Sequence, residues 1–427
     1  MSDETLLRGG TVVDATGTRR ADVLVAGGVV QAVGEGLDAP AGVRVLDAGG
    51  CVVAPGLVDL HVHLRQPGRE EAETVETGSR AAALGGFTCV VAMPNTEPAI
   101  DSAAMVREVQ ALAATALCDV AVSGAITVGR AGERLAPMAE MAALGVRLFT
   151  DDGTGVQDAR LMRRALEYAR GLGVVLAQHC EDAALAGGGS MHEGAWSSRL
   201  GLPGQPAEAE EVMVLRDIAL ARLTGARVHF QHLSTARSVG FVAQAKAEGL
   251  PVTAEATPHH FTLTDACCAG YDPVFKVHPP LRTGTDVAAV RQGLASGALD
   301  AIATDHAPHA PHLKEQPFDQ APPGMLGLET ALALALTELD LPIEHVLALL
   351  SWQPAAVLGL ADHGGPVAAG RPAHLCVIDA DAEWVVDPAR LASRARNTPY
   401  VGRAMRGRVR HTLLRGEPVV VDGEATR

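Results

Sequence analysis

The sequence predicts an α/β protein: a TIM-type (β/α)8 barrel carrying a small β-sandwich domain that both chain ends build together. Three observations predict it. The middle of the chain alternates short apolar strands with Ala/Leu-rich helical stretches, the pattern of parallel βα units. Eight such strands fall within about 300 residues, the usual span of a closed barrel. Both chain ends instead carry short β-rich runs broken by glycines. An open doubly wound sheet is the alternative, but no GxGxxG follows a strand and a count of eight favours closure.

The elements follow in order. The N-terminal runs are "TLLRGGTVVD", "ADVLVAGGVVQAVG" and "VRVLDAGGCVVAPG". After Pro55-Gly56 come the eight barrel strands: "GLVDLHVHL", "FTCVVAMPN", "DVAVSGAI", "GVRLFTDDG", "GVVLAQHCED", "RVHFQHLS", "PVTAEATPHH" and "AIATDHAPH". Helical stretches such as "DARLMRRALEYARGLG" and "EEVMVLRDIALARLTG" separate them. "PAHLCVID" and "GRVRHTLLRGEPVVVDG" then return to short strands. The expected division is 1–54 with 365–427 as the small sheet domain, and 55–364 as the catalytic barrel.

Composition narrows the function. The chain has 427 residues, 48% hydrophobic and 20% charged, with a net charge of -15. That acidity disfavours nucleic acid, and its scatter reads as a solvated surface. "MSDETLLRGG" lacks a basic start followed by an apolar stretch, and no apolar run approaches the roughly 20 residues of a membrane span. The seven cysteines form no CxxC pair, which fits reduced thiols rather than a disulfide framework or a cysteine zinc site. A cytoplasmic location is expected, with no membrane partner.

In a barrel, catalytic residues belong at the carboxyl ends of the strands. Those ends carry His61 and His63, Asn95, Asp151 and Asp152, His179, His232, and Asp305. The third and seventh strands lack an obvious candidate, although His259 and His260 follow the seventh. A lone histidine on an apolar strand is ordinary; ligand-type residues on six strand ends point to a metal. Side chains alternate along a strand, so His61 and His63 share a face and can grip one ion. Imidazole and carboxylate without thiolate suit zinc best, with manganese or cobalt as substitutes. In "FTDDG", alternation sends Asp151 and Asp152 to opposite sides, so one can reach a metal while the other braces the loop. Alternation does not say which.

"DLHVHLRQPG", "MPNT", "FTDDG", "HCED", "HLST", "TPHH", "PPLR", "DHAPH" and "APPGMLGLET" resemble the bacterial dihydroorotases (class I type) of the amidohydrolase superfamily. The resemblance runs the whole chain, including "ARNTPYVGRAMRGRV". It implies reversible interconversion of N-carbamoyl-L-aspartate and L-dihydroorotate, the ring-closing step of pyrimidine synthesis. It also implies one or two zinc ions per subunit, with His61, His63 and Asp305 on one and His179 and His232 on the other. Many superfamily members bridge the metals with a carboxylated lysine on the fourth strand; here the resemblance puts Asp152 in that role. Asp305 would move the proton between a metal-bound hydroxide and the ring nitrogen.

The same resemblance assigns Arg65, Asn95 and His309 to the substrate carboxylate, and Pro323 and Gly324 to a loop that meets the ring. Arg65, two residues beyond His63, could share its face and offer a forked contact. His278 departs from the family, which often has asparagine there near the substrate. His374 stands in "PAHL" where a carboxylate is common. His192, His229, His312, His345, His363 and His411 read as surface or packing residues. The alternatives are another cyclic amidohydrolase (dihydropyrimidinase, hydantoinase or allantoinase) or a non-catalytic partner of aspartate transcarbamoylase. Association with that enzyme and a homodimer are the expected assemblies.

Overall fold

A computed structural model describes residues 4–427, so the first three residues of the 1–54 segment lie outside it. Its centre is a ring of eight parallel strands. They are β1 (Leu57–Val62), β2 (Phe87–Ala92), β3 (Asp119–Val122), β4 (Leu148–Phe149), β5 (Val175–Gln178), β6 (Val228–Phe230), β7 (Val252–Ala256) and β8 (Ala301–Ile302). β1 to β3 pair in sequence, and so do β4 to β8. Two parallel bridges close the ring: Gly124 with Phe149 joins β3 to β4, and His306 with Val62 joins β8 to β1. The barrel is closed.

Local sequence explains the pieces. β2 reads "FTCVVA" and is buried at every position, as a strand covered on both faces must be. The helix Ala159–Leu172 starts where Asp158 accepts from the Leu161 amide, and stops at Gly173 in the left-handed region. It buries Met162, Ala165, Leu166 and Ala169, spaced by three and four along one face. Phe149 and Phe230 lie fully buried in the core between strands and helices, so either cut to alanine costs about 3–5 kcal/mol.

A separate apolar cluster fills the barrel. It includes Leu148, Val175, Ala177, Ala301 and Ala303, sealed by Val357 and Leu358 of the helix Gln353–Leu358. These residues set the interior parity. Two residues beyond Ala177 is His179, and two beyond Ala303 is Asp305. Leu148, Thr150 and Asp152 follow the same count on β4. On β4, β5 and β8 the inward apolar count thus carries the last polar residue into the mouth, whereas β1 turns Val58 and Leu60 inward and brings His61 and His63 to the mouth past a register irregularity.

The chain ends meet in one seven-stranded sheet. Val52–Pro55 pairs antiparallel with Leu375–Val385, and parallel with Thr11–Asp14. A four-stranded sheet of Glu4–Arg8, Asp22–Ala26, Val29–Gly34 and Arg44–Asp47 packs on it through Leu7, Val23, Val25, Val53, Val377 and Leu413. Among the described residues no helix is long and apolar enough to cross a membrane.

Candidate metal centre

At the carboxyl mouth of the barrel, five strands deliver six ligand-type side chains to one buried spot. His61 Nε2 lies 3.2 Å from Asp152 Oδ1 and 3.5 Å from Asp305 Oδ1. His63 Nε2 lies 3.0 Å from Asp305 Oδ1 and 3.5 Å from Asp152 Oδ2. On the other side of Asp152 Oδ1, His179 Nδ1 stands at 3.6 Å and His232 Nε2 at 3.7 Å, the two nitrogens 2.9 Å apart. Asp152 therefore sits between two histidine pairs.

Such spacings match the edges of a coordination shell. Ligands about 2.0–2.2 Å from a tetrahedral zinc lie roughly 3.3 Å from one another. His61 Nε2 and Asp152 Oδ1 are buried without a hydrogen-bond partner among the described residues. Buried polar atoms are normally satisfied, so these two want an ion. The residues fit a metal.

Neighbouring groups aim the ligands. His61 Nδ1 lies 2.8 Å from Glu255 Oε1, and His63 Nδ1 lies 2.8 Å from Asn95 Oδ1. An acceptor behind Nδ1 keeps the proton there and leaves the Nε2 lone pair facing the centre. Glu255 Oε2 in turn meets His229 Nε2 at 3.0 Å, making a buried chain from the sixth strand through the seventh to the first. Gln231 joins this layer, its Oε1 accepting from Thr150 Oγ1 at 2.7 Å.

The electrostatics agree. Burial raises the Asp152 carboxyl, but His61, His179 and His232 outweigh it and hold it well below the usual range. Burial lowers His61, yet Asp152 and Asp305 lift it well above its ordinary value. His179 behaves likewise: burial opposes, while Asp152 and Glu181 push it up to about 10. The carboxylates demand positive charge at the centre. The chain's three lysines cannot bridge it, because Lys246 pairs with Asp300 while Lys276 and Lys314 donate to the carbonyls of Asp319 and Pro322.

Asp151 faces away. Its Oδ1 accepts from the amides of Ile126 at 2.9 Å and Thr127 at 3.0 Å, and its Oδ2 from the Thr127 hydroxyl. It braces the loop after β3.

Beside the cluster is a cavity of about 220 Å³ lined by Arg65, Asn95, His278, His309, Pro323 and Gly324 as well as the ligands. A larger cleft of about 680 Å³ lies by Trp384 and Glu329 on the outside of the barrel, without a histidine. Chemistry, not size, selects the mouth. Arg65 is buried, donates from Nε to the Pro308 carbonyl at 3.0 Å, has Nη2 3.5 Å from His309 Nε2, and lines the cavity. Burial lowers it only to about 10, so it stays cationic at neutral pH.

His309 is held neutral by burial and by Arg65, which push it down to about 2, and its Nε2 donates to the Pro323 carbonyl at 2.8 Å. Gly324 has φ +137, and a Cβ there would come 2.8 Å from His309 Nε2 and 2.7 Å from Ala307 Cβ. Only glycine lets the loop approach so closely. His278 edges the cavity, its Nδ1 4.0 Å from Glu181 Oε2.

Three residues of the mouth adopt positive φ without being glycine: Arg65 at 60°, His232 at 34° and Asp305 at 47°. Strain of this kind, about 1–3 kcal/mol each, collects at functional sites. Sequence reasoning missed Glu255, His229 and Asn397. Asn397 donates to the Ala307 and Gly324 carbonyls and accepts from the His309 amide, locking the two loops together beside the cavity. Glu255 sits mid-strand in "PVTAEATPHH", and a charged residue in a buried strand was the available signal.

A closed barrel whose strand ends converge on a histidine–carboxylate cluster defines a metal-dependent hydrolase of the amidohydrolase class. Solved structures of that class superpose on nearly the whole chain. An L-hydantoinase (dihydropyrimidinase) from Arthrobacter aurescens has a TM-score of 0.88 and 26% identity, covering 99% of this chain and 97% of its own. A D-hydantoinase from Thermus sp. has a TM-score of 0.84 and 25% identity, covering 99% and 96%. Residues 50–238 match the family described as Dihydro-orotase-like. The dihydroorotase of Pelotomaculum thermopropionicum is 50% identical over 98% of both chains. That of Mycobacterium tuberculosis is 49% identical over 95% of this chain and 96% of its own. The chain belongs to the dihydroorotase family.

Proposed function

We propose that the chain interconverts N-carbamoyl-L-aspartate and L-dihydroorotate with zinc in the mouth cluster and Asp305 as general acid and base. The observation that carries this reading is the pairing of two walls in one cavity. One wall is the metal-ligating cluster; the other holds a buried, unneutralised arginine suited to the ring carboxylate. His61, His63 and Asp305 would hold one ion, His179 and His232 a second, and Asp152 both. When bound, the metal supplies Lewis acidity, polarising the ring amide and acidifying water.

The chain's own residues do the rest. Arg65, Asn95 and His309 hold the carboxylate, and the Pro323–Gly324 backbone supports the ring. In ring opening, the attacking water forms a bond to the amide carbon and the carbon–nitrogen bond breaks. The Asp305 carboxylate takes the water's proton and returns it to the leaving nitrogen; ring closure reverses each transfer. The shared end sheet supports the division into residues 55–364 as barrel and 1–54 with 365–427 as its companion. A homodimer, association with aspartate transcarbamoylase and a cytoplasmic setting belong to the same reading.

The test is a hydrolysis assay on dihydroorotate beside dihydrouracil and hydantoin, with metal quantified in the same preparation. Turnover is expected on dihydroorotate alone; preference for hydantoin or dihydrouracil would overturn the assignment. Arg65→Met should raise KM for dihydroorotate by about ten- to a hundredfold, the worth of a hydrogen-bonded charge, and leave metal content unchanged.

A further inference from the structure

We propose that Asp119, His363 and His374 form a second divalent-metal site at the base of the barrel, taking zinc or a similar borderline transition ion. Each residue offers one ligand atom, and these atoms lie within 4.8 Å of one another. Asp119 opens β3, His363 follows the helix Gln353–Leu358, and His374 leads into Leu375–Val385 of the end sheet. An ion held there would tie barrel and end sheet together at the face opposite the mouth.

One edge of the cluster matches the mouth. His363 Nε2 and Asp119 Oδ2 are 3.0 Å apart, the same edge that separates His63 Nε2 from Asp305 Oδ1. Thr88 Oγ1, 3.3 Å from His363 Nδ1, can accept a hydrogen bond from an Nδ1–H and leave the Nε2 lone pair for a metal. Arg415 occupies Asp119 Oδ1, which leaves Oδ2 for the ion. His374 is only 5% exposed, and its Nδ1 is buried with no hydrogen-bond partner among the described residues. Its ring lies 4.1 Å from that of His363, close enough for both to reach one centre.

A cavity of about 480 Å³ borders all three residues and gives room for a water as fourth ligand. Two imidazoles and one carboxylate, with no thiolate, select zinc and its neighbours over calcium or magnesium.

Zinc stoichiometry decides the matter. Purified full-length chain, stripped with chelator and re-equilibrated with ZnCl₂, is compared with His374→Leu and His374→Gln by elemental analysis, with dihydroorotate turnover followed in parallel. Both variants should carry one zinc fewer per chain at unchanged turnover. They should also lose part of the zinc-dependent rise in Tm seen with the unaltered chain. Equal stoichiometry in all three chains overturns the proposal, leaving an Asp–His pair beside a stacked imidazole. Loss of zinc together with loss of turnover overturns it as well, because the missing ion would then be the one at the mouth. His374→Gln keeps the side chain's bulk and polarity should the leucine variant fail to fold.

Discussion

The barrel carries a histidine–carboxylate cluster at each end, and the two are built differently. At the mouth, six ligand-type side chains arrive on five strand ends, and Asp152, His179 and Asp305 continue the parity of the apolar interior. The outer nitrogens of His61 and His63 rest on Glu255 and Asn95, and strained backbone at His232 and Asp305 is held in place. At the base, one ligand starts a strand, one sits in a loop and one enters a different sheet, and His374 Nδ1 has no support. Repetition of the strand register makes the first cluster a motif. The second is a meeting of unrelated segments.

If the mouth depends on Asp152 lying between both histidine pairs, Asp152→Ala should have the largest effect. Turnover should fall to background and the metal at the mouth should be lost; full metal content in that variant would remove the bridge from the comparison. Glu255→Gln should come next. It weakens the acceptor behind His61 and leaves His229 less well paired, so metal affinity should fall about 10- to 100-fold in a competition titration with a chelator. An unchanged affinity would mean that the mouth, like the base, does without a supporting layer.

Asp151→Ala should be the smallest. It strands the buried amides of Ile126 and Thr127, which costs about 1–3 kcal/mol in a denaturant melt, while metal content stays the same. Metal loss there would blur the distinction between ligand and brace that separates the two aspartates.

Much of this was legible beforehand. The eight strands, the helices between them and the sheet-forming ends follow from apolar period and glycine punctuation, because burial on one or two faces imposes that period on any chain. HxH announced a metal because strand alternation puts His61 and His63 on one face, and the paired aspartates and "DHAPH" added ligand types at other strand ends. Glu255 escaped notice and His229 reads as a surface or packing residue because each is an isolated polar residue in an apolar strand. Their partner is on another strand, and no local pattern records it.

The sequence by itself determined the fold class, the ligand types and the strand ends that bear them, since these depend on spacing within one segment. Strand alternation left Asp151 and Asp152 open, and the tertiary structure is what sets Asp152 among the histidines and Asp151 against the Ile126 and Thr127 amides. Leu148 and Phe149 are equally apolar, so the sequence does not say which face of β4 looks inward. Closure of the barrel put Leu148 inside and Phe149 against the helices, and carried Asp152 to the histidines. The base cluster has the same origin. Asp119, His363 and His374 share no motif until two sheets and a loop bring them together.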